Sequence, residues 1–189
     1  MNIHTIILAA GEGSRMKSSK AKSLQRIGGK TMLEMICQTA GSISQKITLV
    51  VGYDKKSIIK ASKALNLDIN SCEQPEPIGT GDAVKHGMSK IIDASKVLVL
   101  YGDVPLIKKE TLSNLINDCD NSLSILTTVL ENPFGYGRVK KDESGNPIAI
   151  VEEKDASDKD REIKEIFTGI LCSTTAYLKE ALSEITSNN

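Results

Sequence analysis

The sequence predicts an α/β fold in which helices cover both faces of a mostly parallel β-sheet. Short apolar runs of strand length alternate with segments of helical periodicity from residue 3 to about residue 130, and glycines or prolines mark the turns between them. Strands that alternate with helices in this way form parallel sheets with right-handed crossovers. From residue 133 the pattern changes to that of a small β-hairpin insertion.

Four apolar runs predict the strands of the parallel sheet. Ile3–Ala9 is continuous, Ile47–Val51 is β-branched and closes on Gly52, a weaker strand lies near Ile69, and Val97–Leu100 has the strongest buried-strand character. Continuous apolar runs of this kind are typical of strands that are buried on both faces.

Helices are predicted between these strands. Thr31 and Glu34 have the T-x-x-E form of a capping box, which begins a helix that ends near Gly41. Apolar residues from Ile58 to Leu65 share one helix face, and residues 82–93 predict a third helix. The later elements show the same signals and are, in order, a helix near Leu112–Ile116, a strand at Leu123–Leu130, a hairpin of Arg138–Lys140 and Ile148–Val151, an exposed charged segment at Asp155–Arg161, a strand at Ile166–Cys172 and a helix at Thr174–Ile185.

The composition is that of one globular domain spanning residues 1–189. Its 24 basic side chains balance 24 acidic ones, which argues against nucleic-acid binding because a phosphate backbone requires a basic surplus. No apolar run approaches the roughly 20 residues that span a bilayer, and the N-terminus lacks the pattern of a signal peptide. We expect a cytoplasmic protein with no membrane partner, and the sequence leaves its oligomeric state open. The cysteines form no C-x-x-C pair and are expected to be reduced thiols: Cys37, Cys72, Cys119 and Cys172.

The first candidate site follows the first predicted strand, in the segment Leu8-Ala9-Ala10-Gly11-Glu12-Gly13-Ser14-Arg15-Met16. A buried strand that ends in glycines lets backbone N–H groups approach an anion, and Arg15 adds a positive charge. The segment is not a dinucleotide fingerprint, because Met16 replaces the third glycine. An ordinary strand-to-helix turn remains the alternative. Lys17, Lys20, Lys22 and Arg26 follow, either as a solvated face or as charges that neutralise a triphosphate.

The second candidate site is the loop from Gln74 to Ala83, which contains Gly79-Thr80-Gly81. Prolines stiffen the loop, Gly79 permits close approach of a planar ligand, and Gln74 offers a donor and an acceptor to a nucleobase edge. A rigid turn ahead of a helix capped by Thr80 or Asp82 is the alternative, and the two interpretations are compatible.

The third candidate site is Tyr101-Gly102-Asp103, at the end of the most apolar strand. Ligands of open α/β sheets bind beyond the carboxyl ends of the strands. A carboxylate at this position suits Mg²⁺ beside phosphates, although it could instead cap the next helix. In the later strands Gly137 and Glu152 are weaker candidates, Glu152 as an acceptor for sugar hydroxyls.

Several motifs occur in a fixed order along the chain: Leu8-Ala9-Ala10-Gly11-x-Gly13-x-Arg15-Met16, Gln74 with Gly79-Thr80-Gly81, Tyr101-Gly102-Asp103-Val104-Pro105-Leu106, Gly135-Tyr136-Gly137-Arg138, Val151-Glu152-x-Lys154-Asp155-Ala156 and Thr168-Gly169-Ile170. Together they resemble the superfamily of nucleotidyltransferases that join sugar 1-phosphates to nucleoside triphosphates. More narrowly, the chain resembles the uridyltransferase domain of the bacterial bifunctional enzyme that makes UDP-N-acetylglucosamine.

This resemblance implies a Rossmann-like three-layer sandwich of the nucleotide-diphospho-sugar transferase type. The implied reaction is an attack by N-acetylglucosamine 1-phosphate on the α-phosphate of UTP, assisted by Mg²⁺. The implied catalytic residues are Arg15, Lys22 and Asp103, with Asp103 as metal ligand. The implied nucleotide site comprises Leu8, Ala9, Ala10, Gly11, Gly13, Gln74, Gly79, Thr80, Tyr101 and Gly102, and the implied sugar site comprises Gly137, Glu152 and Thr168.

The chain departs from the family pattern in three places. Ala21 stands before Lys22 where the family has proline, and Phe167 replaces an asparagine that contacts the sugar. The sequence ends before a further strand and helix, a second metal-binding asparagine and a β-helix acetyltransferase domain that the resemblance would lead us to expect. Two alternatives therefore stay open, a catalytically impaired nucleotide-binding fragment and a related nucleotidyltransferase for another sugar phosphate or base.

Overall fold

The computed structural model describes residues 2–13, 18, 20–120 and 122–185. These residues form two compact units. The first unit contains the chain up to Ser124 together with the segment from Leu171 onward, and the second contains Ile125–Ile170.

Strands and helices alternate through most of the chain. In chain order they are β1 (Ile3–Ala9), β2 (Arg26–Ile27), β3 (Lys30–Thr31), α1 (Met32–Gly41), β4 (Lys46–Val51), α2 (Lys55–Lys63), β5 (Ile69–Glu73), α3 (Thr80–Met88), β6 (Lys96–Tyr101), α4 (Lys109–Asn117), β7 (Leu123–Val129), β8 (Arg138–Lys141), β9 (Pro147–Val151), α5 (Asp158–Arg161), β10 (Glu165–Thr174) and α6 (Thr175–Glu184). Within the described residues, none of the helices is long and apolar enough to cross a membrane.

The first unit is built on a mostly parallel sheet, as the sequence predicts. β1 lies between β4 and β6 and is parallel to both, and β5 pairs in parallel with β4. The residues from Leu171 to Thr174 add an antiparallel strand beside β6. In this register Leu8 lies opposite Val50 on one side and Tyr101 on the other. The carboxyl ends of β1, β4 and β6 therefore meet at one edge of the sheet.

Helices bury both faces of this sheet. Ile6 and Leu8 on β1 pack into a cluster with residues of α3 and α6, including Val84 and Leu178. Ile7 points to the opposite face, because side chains alternate along a strand, and it is fully buried. Thr31 is the N-cap of α1, and its Oγ1 accepts a hydrogen bond from the backbone N–H of Glu34 at 3.1 Å. This is the threonine half of the predicted capping box.

Two local features differ from the sequence prediction. The third helix spans Thr80–Met88 rather than residues 82–93; Ile92, which extended the apolar pattern, is 96% exposed and buries nothing. The short hairpin of β2 and β3 was not predicted. Gly28 and Gly29 connect its strands with φ angles of 57° and 88°, and a Gly-Gly pair of this kind is typical of a two-residue hairpin loop.

The second unit contains the predicted hairpin. β8 and β9 pair antiparallel, and Ile166 on β10 pairs with Arg138 on β8. The charged segment predicted to be exposed contains the short helix α5, which begins at a capping box formed by Ser157 and Asp160. The hairpin insertion predicted from the sequence is therefore confirmed.

Replacing Gly87 by alanine tests how closely α3 packs on the sheet. A Cβ at Gly87 would lie 2.7 Å from Ile6 Cγ2 and 3.2 Å from Val50 Cγ2. This overlap outweighs the gain of about 1 kcal/mol in helix propensity. We expect Gly87→Ala to lower the free energy of unfolding by about 1–2 kcal/mol in a urea titration. The control is Gly81→Ala in the same helix, whose Cβ would approach the flexible, exposed side chain of Ile185; an equal loss in both variants would contradict this interpretation.

Candidate functional site

A cleft of about 340 Å³ lies where the carboxyl ends of β1 and β6 meet the loop after β5. Ligands of open α/β sheets bind at this edge. Lys22, Asp103 and the predicted nucleotide-binding residues all line the cleft: Leu8, Ala9, Ala10, Gly11, Gly13, Gln74, Gly79, Thr80, Tyr101 and Gly102. The predicted residue Arg15 lies outside the described residues.

An ion pair joins the two predicted catalytic residues that the structure describes. Lys22 Nζ lies 2.5 Å from Asp103 Oδ2, and both side chains are about one-third exposed, at 39% and 31%. Asp103 does not cap the next helix, because α4 begins at Lys109 and its N-cap is Lys108. The sequence allows two roles for Asp103, metal binding and helix capping, and the structure excludes helix capping.

The turn that carries Lys22 is held by its neighbours. A Cβ added to Gly13 would lie 2.8 Å from Lys22 Cβ, so the stem of Lys22 packs directly on the backbone at Gly13. The backbone N–H of Ala21 donates to Asp54 Oδ2 at 3.4 Å. Ala21 is 1% exposed, and a proline at its position would have no N–H to donate. Burial and this hydrogen bond thus anchor the residue before Lys22.

Asp103 could take part in binding Mg²⁺ only together with other ligands. Among the described residues, no group of three or more histidine, cysteine or acidic side chains could hold a metal ion. Protein Mg²⁺ sites often use one or two carboxylates, with substrate phosphates and water completing the shell. Asp103 is a single, partly exposed carboxylate beside a cleft that contains Lys22, which fits a Mg²⁺ site completed by phosphates and water.

Gln74 is buried at the wall of the cleft, with 6% of its surface exposed. Its Nε2 donates to Asp82 Oδ2 at 2.8 Å and to the carbonyl of Gly79 at 3.0 Å. Gly79 has a φ of +134°, a conformation that L side chains rarely adopt. It is also the N-cap of α3, which has no side-chain cap hydrogen bond. The alternative in which Thr80 or Asp82 caps this helix is therefore wrong, because the Asp82 carboxylate binds Gln74 instead.

Ser23 is a cleft residue that the sequence analysis missed, whereas Pro77 and Ala83, which also line the cleft, lie within the predicted second site. Ser23 is 5% exposed, and its hydroxyl has no hydrogen-bond partner among the described residues. An unpaired buried hydroxyl costs stability, and this one lines a cavity that can receive a ligand. The sequence offered one signal for Ser23, its position next to Lys22. Position alone does not distinguish a residue that lines a cleft from one that only packs in the core.

The predicted sugar-binding residues all lie in the second unit. Gly137 and Glu152 are neighbours, since a Cβ on Gly137 would lie 3.2 Å from Glu152 Oε1. The hydroxyl of Thr168 donates to the carbonyl of Leu126 at 2.7 Å, so its proton is already used within the unit. Phe167 is half-buried, and its backbone N–H donates to the Gly137 carbonyl at 3.0 Å.

An ion pair between a buried arginine and a partly exposed glutamate links the start of β8 to the segment after β9. Arg138 is 2% exposed, and its Nη2 lies 2.7 Å from Glu153 Oε2. The Arg138 guanidinium, followed by the backbone N–H of Gly135 and the side chain of Arg161, holds the pKa of Glu153 below its ordinary value. Arg138 also donates to the carbonyl of Tyr136. This network anchors the chain on both sides of Gly137.

Replacing Ser23 by alanine tests the unpaired hydroxyl. We expect Ser23→Ala to raise the free energy of unfolding of the ligand-free protein by about 1 kcal/mol, because a buried unsatisfied polar group is removed. Urea titration measures the change. Thr5→Val is the control, since Thr5 Oγ1 is also buried and without a partner in the part of the chain that the structure describes, but lies outside the cleft. Both variants should be stabilised, and a destabilised Ser23→Ala would show that the hydroxyl has a partner.

Replacing Glu153 by glutamine tests the charged network through its pH dependence. Because the folded protein lowers the pKa of Glu153, the charge stabilises the fold above the ordinary glutamate pKa, and this stabilisation is lost as the pH falls through the lowered value. At neutral pH we expect Glu153→Gln to speed amide hydrogen exchange in β8 and β9. The difference from the wild type should shrink in acid. Glu143→Gln, at an exposed loop position, should change little at any pH, and a pH-independent effect of Glu153→Gln would contradict the charge argument.

Comparison with known proteins identifies relatives over almost the whole chain. The chain is 45% identical over 188 residues to the bifunctional protein GlmU of Neisseria gonorrhoeae, covering 99% of this chain and 41% of that protein. GlmU of Ruthia magnifica is 46% identical over 190 residues, again with 41% of its length covered. The chain thus spans about 41% of the length of these relatives, and the resemblance predicted from the sequence is confirmed.

Solved structures confirm the fold class. A putative glucose-1-phosphate thymidylyltransferase from Bacillus anthracis superposes with a TM-score of 0.78 at 16% identity, covering 98% of this chain and 76% of that one. A CMP:2-keto-3-deoxy-manno-octonic acid synthetase complexed with CTP gives a TM-score of 0.76 at 16% identity, covering 100% and 80%. The sequence profile of the MobA-like NTP transferase domain matches residues 5–153. The chain therefore belongs to the MobA-like NTP transferase domain family.

Proposed function

We propose that this chain is a sugar-1-phosphate nucleotidyltransferase that converts UTP and N-acetylglucosamine 1-phosphate to UDP-N-acetylglucosamine and pyrophosphate. The observation that carries the proposal is the cleft at the carboxyl ends of β1 and β6, in which the Lys22–Asp103 ion pair lies with the glycine-rich segment. Family membership and the GlmU relatives support nucleotidyl transfer in general. We propose UTP and the acetylated amino sugar as the specific substrates on the basis of the sequence resemblance.

In the proposed reaction a phosphate oxygen of the sugar phosphate attacks the α-phosphorus of UTP. The bond from that phosphorus to the bridging oxygen breaks, and pyrophosphate leaves. Such transfers depend on positioning and on neutralising charge rather than on a covalent nucleophile. Lys22 donates to the phosphates, and Arg15 is proposed to do the same. In the ligand-free protein Asp103 neutralises Lys22, and a triphosphate would compete for the Lys22 ammonium and free the carboxylate.

The remaining proposed roles follow the predicted assignments. The glycine-rich segment from Leu8 to Gly13 and the loop of Gln74, Gly79 and Thr80 hold the nucleotide, together with Tyr101 and Gly102. Gly137, Glu152 and Thr168 contact the sugar. The burial of Gln74 and the convergence of these backbone segments at one cleft support the nucleotide part, whereas the sugar part depends on the sequence resemblance.

Asp103 is the residue that would hold Mg²⁺, with phosphate oxygens as its other ligands. The ion would supply positive charge to the phosphates when bound. Asp103 contributes the anchoring carboxylate, and Lys22 contributes a second positive charge on the same anion.

A second candidate function is nucleotidyl transfer to a different sugar phosphate. Phe167 favours it, because this half-buried side chain can neither donate nor accept a hydrogen bond where a sugar-binding amide was expected. A catalytically impaired nucleotide-binding protein is the remaining alternative. A panel of sugar 1-phosphates assayed with UTP separates the three, since only the first predicts a preference for the N-acetylated amino sugar.

We further propose that both compact units belong to one nucleotidyltransferase domain. The family profile extends from residue 5 to residue 153 and so includes residues of each unit. A cytoplasmic location is proposed with it, and it is supported by cysteines that are all free thiols.

The proposed reaction is tested by measuring pyrophosphate release from UTP and N-acetylglucosamine 1-phosphate with Mg²⁺. We expect turnover by the wild type and its loss on chelation of the metal. Lys22→Ala and Asp103→Asn should each lower kcat/KM about a hundredfold or more, because the first removes a positive charge from the reacting phosphates and the second removes the carboxylate that would anchor Mg²⁺.

The matched control is Glu73→Gln, which breaks a surface ion pair outside the cleft. Lys55 Nζ lies 2.6 Å from Glu73 Oε1, and both side chains are nearly half exposed. We expect this variant to retain full activity, since exposed pairs contribute little to stability. Undiminished pyrophosphate release by the Asp103→Asn variant would contradict the proposal that Asp103 binds Mg²⁺.

A further inference from the structure

The Gln74 amide is held in one orientation by the chain around it. Both hydrogens of its Nε2 are used, one on Asp82 Oδ2 at 2.8 Å and one on the Gly79 carbonyl at 3.0 Å. A primary amide has two N–H donors and one carbonyl acceptor. Among the described residues these two bonds satisfy the donor end, and Oε1 is the polar atom of the side chain that remains for a ligand.

Reversing this amide would be unfavourable. Oε1 would then face the Asp82 carboxylate and the Gly79 carbonyl, which are both acceptors, in a position where Gln74 is only 6% exposed. Buried acceptors that face each other lose hydrogen bonds without gaining water. The carboxylate is the stronger constraint, since an ionised acid is acceptor-only.

The surroundings of the amide are also anchored. The backbone N–H of Gln74 donates to the Val51 carbonyl at 2.8 Å, and the Gly79 carbonyl also accepts from Ala83 N–H at 3.2 Å. Asp82 lies in the first turn of α3, with His86 Nε2 3.6 Å from the same Oδ2. The two acceptors that orient Gln74 are therefore themselves parts of a sheet-anchored loop and a helix.

We infer that Asp82 is a positioning residue that sets the nucleobase preference of the cleft, by making Gln74 present only an acceptor to the ligand. An acceptor at this wall is complementary to a base with a ring N–H, such as uracil, and opposed to a base with a bare ring nitrogen, such as cytosine. The inference rests on the proposed function in one respect, namely that the cleft binds a nucleotide.

Uracil and cytosine differ in hydrogen-bonding character at ring position N3. Uracil carries a hydrogen on N3, whereas N3 of cytosine is an unprotonated acceptor. A buried acceptor that bonds a ligand N–H discriminates strongly against a ligand without that N–H, because the acceptor is then left unpaired. Gln74 alone could serve either base by turning its amide, so the choice depends on Asp82.

The experiment measures binding rather than turnover, so that it stands apart from the test of the reaction. Calorimetry gives the Kd of the full chain for UTP, CTP and N3-methyl-UTP with Mg²⁺ present. We expect wild type to bind UTP at least about tenfold more tightly than CTP and than the N3-methylated analogue, which lacks the ring hydrogen. Equal affinity for UTP and CTP would overturn the inference.

Asp82→Asn is the diagnostic variant, because its amide can donate to Gln74 Oε1 and so lets the Gln74 amide reverse. We expect the ratio of the CTP Kd to the UTP Kd to fall about tenfold or more. Asp82→Glu keeps an acceptor-only carboxylate, and this variant should retain most of the wild-type preference for UTP over CTP. Glu76→Gln removes the same charge from the loop before α3, at an exposed position outside the cleft lining, and should leave the ratio unchanged.

The outcomes separate the inference from the proposed function. If Asp82→Asn weakens UTP and CTP equally while circular dichroism shows the native fold, Asp82 only supports α3 and the inference fails. If the preference for UTP behaves as expected but no pyrophosphate is released with any sugar phosphate, the proposed reaction fails and the positioning role of Asp82 stands.

Discussion

The placement of β1 between two parallel neighbours is the constraint on which the site depends. Leu8 is paired with Val50 and Tyr101, and the N–H of Gly102 continues the ladder to the Leu8 carbonyl at 2.9 Å. A shift of one residue would turn every buried side chain of β1 to the wrong face. Since both faces are packed, the register is strongly determined, and it brings the segments after β1 and β6 to one edge of the sheet.

Two carboxylates in this region have different physical tasks. Asp103 pairs with Lys22 where both side chains are about one-third exposed, so water screens the attraction and an anionic ligand can replace it at low cost. Asp82 binds a neutral amide that is almost fully buried, where an unpaired group would be costly. The first arrangement suits an exchangeable phosphate contact, and the second suits a fixed surface that recognises a base.

Most of the fold and much of the cleft could be predicted because their signals are local. Apolar runs predict β1 and β6, and the glycines at 11, 13 and 79 mark segments that line the cleft. The contacts of Ser23 and Asp82 could not be predicted in this way. Ser23 lines the cleft because its turn packs against Gly102, 79 positions later in the chain. Asp82 looked like a helix cap, and only the position of Gln74 shows that its carboxylate is engaged elsewhere.

The sequence by itself determined the order of strands and helices, the parallel sheet and the residue types available at its carboxyl edge, because burial periodicity and turn residues act over short distances along the chain. The tertiary structure decided which of these residues touch. Lys22 meets Asp103, and Gln74 turns its two donors toward Asp82 and Gly79. Hydrogen-bond direction and the exposure of an ion pair are properties of packed neighbours, so they exist only once the sheet has brought distant segments together.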